Sequence, residues 1–169
     1  VYMRRAHDHV NQRTAEASFE GVGRFAPEDY VLGDTPVQSK YINGARKTLN
    51  HVIKHKAKHP EYGGSGGIYH VPQDQYETIR EVLESKTHDR LSLNTIERIR
   101  EKVQAIENEF GRPIDDVLRP GRSEYGDVQL GKIDETIDQE VEELKEVQEE
   151  KIEEIRAEVG PSLSEGLKA

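Results

Sequence analysis

The sequence predicts an α+β domain, a small mixed sheet flanked by helices with a helical C-terminal extension. Three observations carry this. A Gly-Asp turn at Gly33-Asp34 joins two short strand-like runs. Apolar residues recur at helical spacing in several segments around it. The order helix, hairpin, helix, strand, then further helices is that of a mixed layered fold rather than a bundle or a sandwich.

In chain order, residues 4–20 read as a helix, ended by "GVG" and Pro27. The hairpin "DYVLGDTPVQSKY" follows over 29–41. The two-residue turn sets Leu32 opposite Thr35, Val31 opposite Pro36, Tyr30 opposite Val37 and Asp29 opposite Gln38. Pro36 then needs an open edge for its missing N–H. Ala45 to His59 reads as a helix stopped by Pro60, "GGSGG" as a flexible connector and "IYHV" as a short strand. Asp74, with Glu77 three residues on, reads as a capping box opening a helix with Tyr76, Ile79 and Leu83 on one face. Asn94 is the expected cap of the clearest helix, in which Ile96, Ile99, Val103, Ile106 and Phe110 recur at spacings of three and four before Gly111 and Pro113. Residues 111–127 read as a loop with at most one helical turn. "DVQLGK" reads as the start of the last helix, where Ile133, Ile137, Val141, Leu144, Ile152, Ile155 and Val159 form a narrow apolar stripe. We divide the chain into a core over 1–120 and, over 121–169, a loop with an acidic amphipathic helix packed on that core or on a partner.

Composition bounds the function. The 169 residues hold 33% apolar and 6% aromatic side chains, enough for one domain with a modest core. Without cysteine there is neither a disulfide framework nor a thiolate metal site. No apolar run reaches the roughly 18 residues of a membrane span, and no signal segment is visible, so a soluble, cytoplasmic chain is expected. It begins at Val1 rather than methionine, which points to a domain of a larger polypeptide. The net charge of −9 is local: residues 134–158 hold twelve acids and three bases, and the rest balances. Residues 1–59 hold ten Lys/Arg against six Asp/Glu, with five of the seven histidines. An acidic total therefore does not exclude a nucleic-acid partner.

The hairpin register brings Asp29 and Gln38 to one face, and Lys40, two residues on, shares it. Oxygen ligands of this kind suit Mg²⁺, and a neighbouring lysine can orient a water and offset charge on a phosphate. By spacing alone, a solvated strand face fits as well. On the following helix Lys47, His51, Lys54, His55 and Lys58 fall on the side opposite Ala45, Leu49, Val52, Ile53 and Lys56. That acid-free side can neutralise phosphates, although a solvent face also reads this way. His51 and His55 at i and i+4 could hold zinc, but no Cys or Glu within the helix joins them.

"DYVLGDTPVQSKY", with "TAEASFE" before it and "YHVPQDQY" after, resembles the restriction-endonuclease-like nucleases, the PD-(D/E)XK superfamily, in a Gln-x-Lys variant. It is also similar to nuclease domains of bacterial secreted toxins and mobile elements. The likeness is best over residues 14–76. It implies that Asp29 and Gln38 hold Mg²⁺ or Mn²⁺ with help from the Ser39 carbonyl. Lys40 would position water, and Glu16, with Glu20 as the fallback, would contribute from the preceding helix. Gln38 departs from the commoner glutamate, which makes the helix acid more necessary. The resemblance implies an endonuclease acting on DNA ahead of RNA, the toxic domain of a delivered effector, with an immunity protein as partner. Two other readings stay open: a metal-independent ribonuclease using His55 and His70, and a non-catalytic helical module binding nucleic acid or protein.

Overall fold

The computed structural model describes residues 1–64, 66–129 and 131–165, with side chains through residue 158. Ser65 of the glycine connector, Leu130 of "DVQLGK", the Val159 side chain and residues 166–169 lie outside the described residues. Five strands form one mixed sheet in the order β1 (Ala17–Ser18), β2 (Tyr30–Leu32), β3 (Thr35–Ser39), β4 (Ile68–Val71) and β5 (Leu118–Pro120). The first three are antiparallel and the last three parallel. The helices are α1 (Tyr2–Val10), α2 (Ala45–Lys58), α3 (Gln73–Ser85), α4 (Leu93–Phe110), the short α5 (Ile114–Val117) and α6 (Ile133–Glu165). This is the expected α+β architecture.

The hairpin keeps the register its turn dictates, with Tyr30, Val31 and Leu32 opposite Val37, Pro36 and Thr35. Gly33 takes φ 59°, the left-handed conformation that a two-residue hairpin turn needs. Pro36 sits one residue before β3 begins its parallel ladder with β4 at Val37–Ile68, so its missing N–H leaves no rung empty. β3, α2 and β4 form a crossover unit, and all four residues of β4 are buried. The main core lies between one face of the sheet and α2, α3 and α4. Tyr69 and Val71 meet Leu49, Val52, Ile79, Val82 and the α4 row Ile96, Ile99, Val103 and Ile106. Each of those four α4 side chains is at most 5% exposed. At about 1.5–3 kcal/mol per buried aliphatic, that row outweighs any helix propensity in holding α4.

Four expectations are corrected. The first helix stops at Val10 because Gln12 turns to φ 55° and the apolar pattern changes from helical spacing to the alternation Ala15, Ala17, Phe19. The capping box at Asp74 does not form. α3 starts one residue earlier, after Pro72, and the Asp74 carboxylate accepts from the Tyr125 N–H at 2.9 Å instead. Ser92, not Asn94, caps α4, its hydroxyl accepting from the Thr95 N–H at 3.2 Å. The segment after Pro113 holds strand β5 as well as the helical turn α5, and Leu118 completes the core beside β4.

The acidic helix α6 docks on α1. Glu140 pairs with His7 at 2.8 Å and Arg122 at 3.3 Å, and the Thr136 hydroxyl donates to the Asp127 carbonyl at 2.8 Å. "DVQLGK" carries a single tight turn at Gly126–Val128 before α6 starts at Ile133. From Gln148 to Glu158 every side chain is exposed except half-buried Lys151.

Candidate active site

Residues 27–29 enter the sheet beside β3, and this is where the polar groups of the hairpin meet. The Asp29 N–H donates to the Val37 carbonyl at 2.8 Å, but Val37 is already opposite Tyr30, so the ladder ends there and the expected backbone pairing of Asp29 with Gln38 does not form. Its carboxylate accepts from the Gln38 side-chain amide at 2.6 Å and from the Ser39 N–H at 2.8 Å. The Gln38 amide also donates to the Ser39 carbonyl at 3.3 Å. Asp29 is exposed, and Gln38 and Lys40 are half-buried. The Lys40 N–H donates to the His70 carbonyl at 2.8 Å, which fixes its backbone at the end of the parallel ladder. Burial lowers the pKa of the Lys40 amine, the charge of Asp29 opposes that, and Lys58 adds to it. The structure thus brings Asp29, Gln38 and Lys40 together, with the C-terminal turn of α2 alongside.

Glu16 is not part of this group. It lies in the extended segment before β1, where its carbonyl accepts from the Gly33 N–H at 3.0 Å. That is the turn end of the hairpin, four residues along β2 from Asp29 and roughly 13 Å away at strand rise. With α1 ending at Val10, neither Glu16 nor Glu20 is a helix acid. Glu20 follows β1 at the end nearer Asp29, because β1 runs antiparallel to β2. The acid that does adjoin the group is Glu28, half-buried, whose charge and that of Asp29 both reach the Tyr62 hydroxyl.

The basic face of α2 also changes membership. Lys47, His51, Lys54 and Lys58 are exposed as expected, but His55 turns inward. Its Nε2–H donates to the Pro27 carbonyl at 2.8 Å, which leaves Nδ1 to accept from the Tyr69 hydroxyl at 2.9 Å. Its ring stands edge-on to Tyr62 and Tyr69, with centroids 5.1 and 5.4 Å away. Burial first, then the charge of Lys40, push its pKa down to about 4, so it is neutral at pH 7 and offers phosphates no charge. The same burial raises the phenols of Tyr62 and Tyr69.

His55 and His70 cannot serve one reaction as base and acid. Tyr69, the partner of His55, and His70 are consecutive residues of β4 and point to opposite faces of the sheet. On the far face the His70 Nδ1 is hydrogen-bonded to the Tyr30 hydroxyl.

A hard divalent cation placed here would meet one carboxylate and the Ser39 carbonyl, and would meet the Gln38 amide oxygen only after that amide turns over and gives up its bonds to both. Among the described residues no three His, Asp or Glu side chains gather into a metal cage. Comparison with protein families, curated proteins and solved structures found no match to this chain.

Proposed function

We propose that the protein is a nuclease that hydrolyses phosphodiester bonds of nucleic acid, DNA ahead of RNA, with Mg²⁺ or Mn²⁺. The observation that carries this is the meeting of Asp29, Gln38 and Lys40 on one face of the sheet, at the C-terminal end of its central strand β3 and beside α2, whose lysines are exposed. Asp29 and Gln38 would hold the cation, which when bound supplies Lewis acidity at the scissile phosphate. Asp29, pinned by the Ser39 N–H, presents its second carboxylate oxygen outward. Lys40 donates to a water at the site and offsets the negative charge that builds on the phosphate during attack. Lys47, Lys54 and Lys58 hold the backbone of the strand through charge alone, so binding is salt-dependent and indifferent to sequence. The resemblance extends this reading to the toxic domain of a delivered bacterial effector, met by an immunity protein.

The test is incubation of the purified chain with plasmid DNA and total RNA in Mg²⁺, Mn²⁺ or EDTA. Cleavage is expected with either metal and none in EDTA. Asp29→Ala and Lys40→Ala should keep the wild-type circular dichroism spectrum and lose roughly 10²-fold or more of the rate. Full cleavage in EDTA, or a wild-type rate in Lys40→Ala, would refute the proposal.

A further inference from the structure

The far face of the sheet carries a concavity. It is an open pocket of about 640 Å³ lined from β4 by Ile68 and His70, so it lies across the sheet from Tyr69, Gln38 and Asp29. Arg4 from α1, Arg112 from the loop after α4 and Arg119 from β5 bring three guanidinium groups to it, against the single acid Asp116. Elsewhere Arg80, Arg98 and Arg122 each have a carboxylate within 4.0 Å. Among the described residues Arg4, Arg112 and Arg119 have none, as is also true of Arg5, Arg13, Arg24, Arg46, Arg90, Arg100 and Arg156, so what sets the three apart is their gathering at one pocket.

Of the three, Arg112 is held in place. The Arg112 Nη2 donates to the Gly67 carbonyl at 2.7 Å, and its guanidinium carbon stands 5.7 Å from the centre of the Phe110 ring. Its Nε is buried without an acceptor, so the group is short of hydrogen-bond partners. Arg4 lies close enough to the Tyr30 hydroxyl to oppose the rise in its pKa that burial causes. Their field is felt inside the wall, where burial, then Arg4 and Arg119, keep His70 neutral. Guanidinium forks match phosphate oxygens in geometry and charge. Leu32, Ile68 and Pro120 add an apolar strip to the same wall.

We propose that this pocket binds a phosphomonoester of nucleotide size, its phosphate among Arg4, Arg112 and Arg119 and its organic body against Leu32, Ile68 and Pro120. The volume falls in the range of small-molecule sites. A long polyanion suits it less well. α6, with the twelve acids of residues 134–158, packs on the same α1 that supplies Arg4 and repels an extended acidic chain. The inference does not depend on the nuclease reading, since no group of the Asp29 site lines this pocket.

The test uses the full chain with adenosine 5′-monophosphate, inorganic phosphate, adenosine and poly-glutamate, followed by titration calorimetry and by the His70 ring signals in NMR. The monophosphate should bind saturably, shift the His70 signals and raise the His70 titration midpoint as its charge cancels that of Arg4 and Arg119. Adenosine should bind at least about tenfold more weakly, and exposed Arg119→Gln should lose about tenfold of the monophosphate affinity, while Lys40→Ala keeps it. Absence of saturable binding by either phosphate compound overturns the assignment. So does binding that survives Arg119→Gln and Arg112→Lys, or tighter binding of poly-glutamate. Inorganic phosphate as tight as the monophosphate overturns the part assigned to the organic body.

Discussion

His70 makes the stability of this fold sensitive to mild acid. The ring is 6% exposed, and burial first, then Arg4 and Arg119, lower its pKa to about 4. In the unfolded chain an ordinary histidine titrates near 6.5. Between these values the unfolded chain binds the proton more readily than the folded one, so stability is full above about 6.5 and falls as the pH drops toward 4. Each pH step of one across that window costs about 1.4 kcal/mol, so the loss from pH 7 to pH 5 is about 2 kcal/mol, and about 3 kcal/mol is gone by pH 4. Urea unfolding at pH 7 and pH 5 measures it, and pH 5 leaves most ordinary carboxylates ionised. In His70→Gln the titrating group is absent. The drop in unfolding free energy between the two pH values should then be smaller than in the wild type by about 2 kcal/mol. Drops equal within about 0.5 kcal/mol, or a His70 ring midpoint near 6.5 in NMR, would refute the reasoning.

Two further outcomes follow from the core and from α2. A Cβ added at Gly67 would stand 2.6 Å from both the Tyr62 ring and the Tyr62 carbonyl. Tyr62 is itself 2% exposed and tied to the Pro36 and Ile68 carbonyls, so it has nowhere to move. Gly67→Ala should therefore lose about 1–3 kcal/mol of stability in urea unfolding, and a neutral result would mean that this contact relaxes. On the exposed face of α2, Lys54→Ala should weaken nucleic-acid binding and reduce the slope of log K against log salt by about 0.9, the share of one phosphate contact. Fluorescence anisotropy at several salt concentrations reads that slope, and an unchanged slope would remove Lys54 from the interface.

The parts of the fold that could be read from sequence are those decided by neighbours in the chain. Gly33-Asp34 sets the hairpin register, and the row Ile96 to Phe110 sets α4, because turn geometry and helical period are local rules. β5 was invisible because Leu118, Arg119 and Pro120 make a strand only through pairing with β4, and no local alternation marks them. His55 misled for a different reason. Thr48, Val52, His55 and His59 follow the i, i+4, i+7, i+11 spacing of an inward row, but a helix wheel sorted by polarity assigns histidine to water. Glu16 lies in a segment of conflicting signals, since the alternation of "AEASF" is a strand signal inside a stretch rich in helix formers. Of the candidate site, the register of Tyr30 to Leu32 was legible and led toward Asp29 and Gln38, but the ladder ends at Tyr30–Val37 and those two meet through their side chains. The closing of α2 over them was not legible, because the His55–Pro27 and His55–Tyr69 contacts join segments far apart in sequence.

The bond from His55 to the Pro27 carbonyl has a consequence for how anything meets Asp29. The chain between β1 and β2 is a surface loop that would otherwise sample many conformations, and ordering each of its residues costs about 1–2 kcal/mol. Here its last residues are tethered to the end of α2 by His55, and then to β3 by the Asp29 N–H and carboxylate. That entropy is surrendered when the chain folds and not when a ligand arrives. An incoming group finds the carboxylate already aimed, so its affinity is not reduced by a loop that must first settle.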